Sequence, residues 1–191
     1  LFRSVNGIDP EHFTRVLRAD PKRAGLLFCG TEAGMYTSFD DGVNWQKFQI
    51  NLPVVPVTDL LIKNEHLIAA TQVRSIWMID DLSVLRQLNK DIVVRDFHLF
   101  QPLASYRLRN SQAKNLKTAG TNHPGGVMVH FYLKNKPGEK DTVRLEILDS
   151  NGALIRTFSN QSKEDKLSDL KSGGNRFVWD MRYPDAKNSR G

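Results

Sequence analysis

Ser38-Phe39-Asp40-Asp41-Gly42-Val43-Asn44-Trp45 is the stretch on which the fold turns. It reads S-x-D-x-G-x-x-W, and a weaker copy follows at a spacing of about 40 residues. Thr31 aligns with Thr71, Asp40 with Asp80 and Asp41 with Asp81, while Met35 to Phe39 lies over Ser75 to Ile79. A period of about 40 residues built from short strands is that of a β-propeller blade. The expected class is therefore all-β.

Around the motif, Val16–Ala19, Leu26–Thr31, Met35–Phe39 and Trp45–Ile50 read as four short strands. Asp20-Pro21, Glu32-Ala33-Gly34 and Asp40-Asp41-Gly42 break them as turns. Val57–Ile62, Leu67–Thr71 and Ile76–Ile79 repeat the pattern. Leu82–Leu88 then reads either as a helical turn or as a poorly formed fourth strand. Two blades do not close a ring, which typically needs four to eight, and they leave an apolar face and open edges. Upstream blades of a longer parent chain are the expected partners, and the start at Leu1 in place of Met fits an excised piece.

Past residue 100 the texture changes. Residues 101–126 hold Arg107, Arg109, Lys114 and Lys117 with no acid, and read as a basic linker. Beyond it Val127, Val129, Phe131 and Leu133 alternate with Met128, His130 and Tyr132, as in a half-buried antiparallel strand. Val143 to Ile147 alternates likewise, and Asn151-Gly152 reads as a tight hairpin in which both residues tolerate positive φ. Phe177 and Trp179 share a face of a last strand. The expected organisation is terminal blades over 1–100, a linker over 101–126, and an immunoglobulin-type β-sandwich over 127–191, its last strand cut off.

Composition narrows the function classes. The net charge of +6 is spread along the chain without interleaved stacking aromatics, so no nucleic-acid partner is expected. No apolar run approaches the length of a membrane span, so no membrane insertion is expected either. The start lacks the basic head and apolar core of a signal peptide. Cys29 is the only cysteine, which excludes an intrachain disulfide, and its apolar setting suits a core thiol. The five histidines lack metal-ligand spacing, and no phosphate-cradling glycine loop is present, so neither a metal nor a cofactor is expected.

Each residue type in the motif has a structural task. Asp40 accepts hydrogen bonds from its own turn, Gly42 frees the backbone to bend, and Trp45 buries a large face that pins the hairpin. With Ser38, these four positions resemble the Asp-box, or BNR repeat, of sialidases, related glycosidases and sortilin-type receptors. The resemblance implies a structural role for Ser38, Asp40, Gly42 and Trp45, with Asp80 in the degenerate copy, since the box lies on blade edges away from the ligand face in those families.

Gly30-Thr31-Glu32-Ala33-Gly34-Met35-Tyr36, Asn51-Leu52-Pro53 and Ala70 to Leu82 extend the likeness to the closing blades of bacterial sortilin-like or BNR-repeat glycosyl-hydrolase proteins. That group commonly has His and Gly where this chain has Gln72 and Val73, and Val suits a positive-φ turn poorly, so an altered turn is expected. Phe100-Gln101-Pro102 with Tyr106-Arg107 resembles the exit segment of the same group. Val143–Phe158 with Gly174–Asp180 resembles the immunoglobulin-like domain of flagellar hook-capping proteins and secreted enzymes. The resemblance implies a periplasmic or secreted, bacterial setting.

Catalysis is harder to place. Glycoside hydrolysis needs two carboxylates about 5–9.5 Å apart across a sugar, whereas the neighbours Asp40/Asp41 and Asp80/Asp81 point to opposite faces. No catalytic residue is expected here. Arg74 and Trp77 are the candidates for facing a ligand channel, with core packing the competing reading of Trp77. The functional expectation is the ancillary end of a protein that binds or hydrolyses extracytoplasmic glycan. The alternative is a sortilin-like, non-catalytic receptor for peptide or protein.

Overall fold

A computed structural model describes residues 6–106 and 125–184. Among the described residues the chain is all-β apart from one short helix, and it forms two compact units, Leu1–Arg86 and Gln87–Gly191. None of its described helices is long and apolar enough to cross a membrane.

In the first unit β1 (Thr14–Ala19), β2 (Leu27–Thr31), β3 (Gly34–Ser38) and β4 (Gln46–Lys47) form an antiparallel meander in that order. A second meander follows from β5 (Val57–Lys63), β6 (His66–Thr71) and β7 (Ile76–Ile79). The chain then winds into α1 (Ser83–Gln87), so the helical reading of this segment is the one adopted. The strand expected over Trp45–Ile50 is short. After Lys47 the Gln49 side chain takes over, its Nε2 donating to the carbonyls of Leu52 and Pro53 at 2.8 Å, which turns the chain away from the ladder.

The sheets share one core. Val16, Phe28 and Met35 from the first meet Val57, Leu60, Leu67 and Ala69 from the second, with Leu26, Leu52 and Leu82 closing the edges. Burial of such side chains contributes about 1.5–3 kcal/mol each. Gly30 sits where the sheets come closest, and a Cβ there would lie 2.7 Å from Val16 and 2.8 Å from Val57. The other face of the first sheet carries Cys29, Tyr36 and Trp45, against which Ile8 packs.

In the second unit β9 (Val127–Leu133) lies between β8 (Phe97–Leu99) and β12 (Gly173–Trp179), all antiparallel. A separate hairpin pairs β10 (Arg144–Leu148) with β11 (Leu154–Ser159). The alternation seen in sequence sets the core: Val129, Phe131 and Leu133 are buried with Phe158 and Leu167, and the Phe158 and Phe177 rings meet at 4.6 Å between centroids. The hairpin turn differs from the expected one. Only Gly152 has positive φ (83°), and Asp149 Oδ1 accepts the N–H groups of Asn151 and Ala153, each at 2.8 Å. A carboxylate therefore closes a longer turn in place of a two-residue one.

The unit boundary follows Arg86, not residue 100, because β8 pairs with β9. Residues 107–124, with Arg107, Arg109, Lys114 and Lys117 of the expected linker, lie outside the described residues.

Candidate functional site

The Asp40 turn is built almost wholly from its own side chains. Ser38 ends β3 with its hydroxyl buried, donating to Asp40 Oδ1 at 2.8 Å and accepting the Gly42 N–H at 2.9 Å. Asp40 Oδ1 also accepts the Asn44 N–H at 2.8 Å, and Oδ2 accepts Asn44 Nδ2 at 2.7 Å. Asp41 and Gly42 take φ of 56° and 84°, the bend that the glycine makes easy. Trp45 donates its indole N–H to the Gly42 carbonyl at 3.0 Å and buries its ring against the first sheet. Both oxygens of Asp40 thus hold the loop together. Chemically this carboxylate is an acceptor for the hydrogen bonds of its own turn.

A part of the turn that sequence reading missed is Asn6-Gly7-Ile8. The Asn6 carbonyl accepts the Trp45 N–H at 2.8 Å, and its Nδ2 donates to Asn44 Oδ1 at 2.7 Å. Gly7 has φ 97°, and a Cβ there would lie 1.9 Å from the Trp45 carbonyl oxygen. Gly7 was the one signal in the sequence, and nothing local linked it to Trp45.

The second copy is offset by one residue from the sequence alignment. Tyr36 pairs with Cys29 and Trp77 with Ala69, so Trp77 stands where Tyr36 does. The cause is the hairpin loop: Thr31 pairs directly with Gly34, whereas the Thr71 N–H bonds the Ser75 carbonyl across one more residue. Carried forward, the register puts Asp81, and not Asp80, at the place of Asp40. Asp81 Oδ1 accepts the Ser83 N–H at 2.7 Å and opens α1, while Asp80 is exposed. Val73 does take positive φ (72°), as does Ser75 (63°), so the turn keeps a left-handed residue despite the branched side chain. Such strain costs on the order of 1–3 kcal/mol.

Arg74 and Trp77 are joined by a hydrogen bond. Trp77 packs against the core of the two sheets, and its indole N–H donates to the Arg74 carbonyl at 2.9 Å. The Arg74 side chain is exposed. The cavity beside Trp77 is about 40 Å³, room for a few waters and not for a sugar.

The densest polar cluster was not visible in the sequence. Asp20, whose side chain is fully buried, accepts the N–H groups of Lys22 and Arg23 at 2.8 Å and Arg86 Nε at 3.0 and 3.1 Å. Arg86 also pairs with Glu65 and donates to the Asn64 carbonyl at 3.0 Å, Lys22 pairs with Glu65, and Arg23 bonds the Leu85 carbonyl. Burial pushes the Asp20 carboxyl up, but the Arg86 and backbone hydrogen bonds and the Arg86 charge outweigh it and hold it below its ordinary value. Asp20 and Glu65 are both tied to cations, so the cluster joins two turns to α1 and offers no free acid.

Cys29 is buried, and desolvation pushes its thiol up to about 11, which removes it as a nucleophile at neutral pH. Among the described residues no group of His, Cys, Asp or Glu could hold a metal ion. The second unit has a cleft of about 350 Å³ between β8, β9 and β10, floored by Phe131, Leu133 and Leu167. Comparison with known proteins adds no identity: no family model matches the chain, and neither a curated protein nor a solved structure is significantly similar to it.

Proposed function

We propose that this chain is the architectural, non-catalytic part of an extracytoplasmic Asp-box (BNR-repeat) protein that binds or hydrolyses glycan. In this reading the first unit is two successive propeller blades and the second an immunoglobulin-like sandwich. The observation that carries it is the engagement of both Asp40 oxygens by Ser38 and Asn44 within one turn. A carboxylate whose two oxygens both accept bonds from its own loop serves that loop, and Ser38, Asp40, Gly42 and Trp45 of the S-x-D-x-G-x-x-W pattern all take part in the bonds of the turn. Fold likeness alone does not bring an activity.

The test is kinetic. The 191-residue chain is expected to be inert towards chromogenic glycosides, and Asp40→Asn in the parent is expected to leave kcat/KM unchanged for folded protein. Turnover by the chain alone, or loss of kcat without loss of fold in Asp40→Asn, would falsify the assignment. The sortilin-like alternative draws on the exposed Val73–Arg74 tip, an apolar and basic turn suited to a protein contact. Peptide binding without turnover by the parent would select it.

A further inference from the structure

Alternation along β12 puts Phe177 and Trp179 on one side of the strand, and Phe158 of β11 meets Phe177 there. Beside these rings the second unit has another cleft, of about 290 Å³, the lower end of the range for small-molecule sites. Its rim is the 164–166 loop, which is tied to β11 on both sides. The Ser159 N–H donates to the Asp165 carbonyl at 2.9 Å, and the Leu167 N–H donates to the Ser159 carbonyl at 3.0 Å. The rim therefore keeps its shape without a ligand.

The wall of this cleft is aromatic and its rim is charged. Arg156 lies over the Phe158 ring at 5.2 Å and donates through Nε and Nη2 to Asp165 Oδ1, at 3.0 and 2.5 Å. Both bonds fall on one oxygen, so Asp165 Oδ2 has no hydrogen-bond partner among the described residues. Glu164 and Lys166, its neighbours in the chain, are exposed, and among the described residues their side chains have neither an ion pair nor a hydrogen bond. Asp180 lines the cleft as well. The Trp179 indole N–H is buried without an acceptor, whereas those of Trp45 and Trp77 donate to the Gly42 and Arg74 carbonyls. A donor in that state is stabilised by any acceptor that reaches it.

These groups discriminate among ligands. An apolar ring would cover Glu164, Asp165 and Lys166 without replacing the water they lose. A small ion of either sign meets its own charge, since Arg156 and Lys166 stand among Glu164, Asp165 and Asp180. A neutral ring with an apolar C–H face and a rim of hydroxyls suits both parts. Its face lies on the aromatic wall, and its hydroxyls donate to the carboxylates and accept from Lys166. We propose that this cleft is a binding site for a single neutral sugar residue. The function proposed above gives the second unit no ligand, and this site stands whether or not the first unit belongs to a propeller.

Proton–nitrogen correlation NMR on the 191-residue chain tests it, because the three tryptophans give three indole signals. Trp45 and Trp77 belong to the first unit and serve as references. The chain is titrated with methyl glucoside, methyl galactoside and N-acetylglucosamine. At least one of them is expected to move the Trp179 signal alone, saturably and in the millimolar range. Glu164→Gln and Lys166→Met, at exposed positions, are each expected to weaken that sugar about tenfold while leaving the unliganded spectrum of the strands unchanged. A Trp179 signal unmoved by all three sugars overturns the proposal, and so does undiminished binding in both variants. An equal shift with cyclohexanol makes the cleft an apolar site, and a shift with sodium sulfate but no sugar makes it an anion site. Either result overturns the sugar assignment. None of these failures touches the Asp40 reading, which concerns the other unit.

Discussion

After the Asp40 turn the chain rejoins its ladder as β4 and buries Trp45; after Asp81 it leaves the ladder and winds into α1. Both turns use an aspartate to collect backbone N–H groups, but the first closes a hairpin and the second opens a helix. The first sheet is finished by an uncharged seal: Trp45, Ile8 and the Asn6 bonds. The second is finished by a charge, since Arg86 on α1 reaches back to Asp20 and Glu65. One skeleton thus tolerates two endings, provided each supplies partners for the backbone groups it exposes.

Removing the charged ending is expected to have the largest effect. Asp20→Ala leaves Arg86 with one carboxylate fewer and two loop N–H groups unpaired, at a cost of about 3–5 kcal/mol. Because the folded Asp20 lies below its ordinary value of 3.8, its contribution is present above that value and is lost as pH falls through the folded one. Urea unfolding followed by exchange of β2 and β6 amides should show an acid-labile component below about pH 4 that Asp20→Asn lacks. An unchanged acid limb in Asp20→Asn would mean that the clamp contributes nothing.

The uncharged ending comes next. Trp45→Ala is expected to cost about 3 kcal/mol, and Trp77→Ala, at a half-buried site, about half as much. Equal losses would show that Trp77 carries its sheet as Trp45 does, and the contrast between the two endings would fail. The smallest effect is a gain: Val73→Gly relieves a left-handed β-branched residue and is expected to raise stability by about 1 kcal/mol. A loss on that substitution would show that contacts of the Val73 side chain outweigh its backbone strain.

Local signals were legible in the sequence, and distant ones were not. Period-2 alternation marks β9 and β10, and S-x-D-x-G-x-x-W marks a turn whose bonds are those its residue types allow. The alignment of the two copies failed by one position in β7, because one extra loop residue flips every later side chain to the other face. Spacing in the sequence places the second aspartate at Asp80, whereas the strand register carried forward favours Asp81. The Asp20–Arg86 pair spans 66 positions and follows no spacing rule, so only three-dimensional placement brings it together. The pairing of β8 with β9 crosses the whole 101–126 segment, so no local pattern in the sequence joins residues 97–99 to the strands beyond it.

The clamp also bears on where this polypeptide can be divided. Counting repeats would end the first unit near Asp80, yet Arg86 is the residue on which two of its turns depend. An expression boundary drawn at the end of the second repeat would amputate that cation and leave the buried Asp20 carboxylate without its guanidinium partner. Such a truncate is expected to be recovered as insoluble protein, while one ending a few residues beyond Gln87 retains the guanidinium and folds.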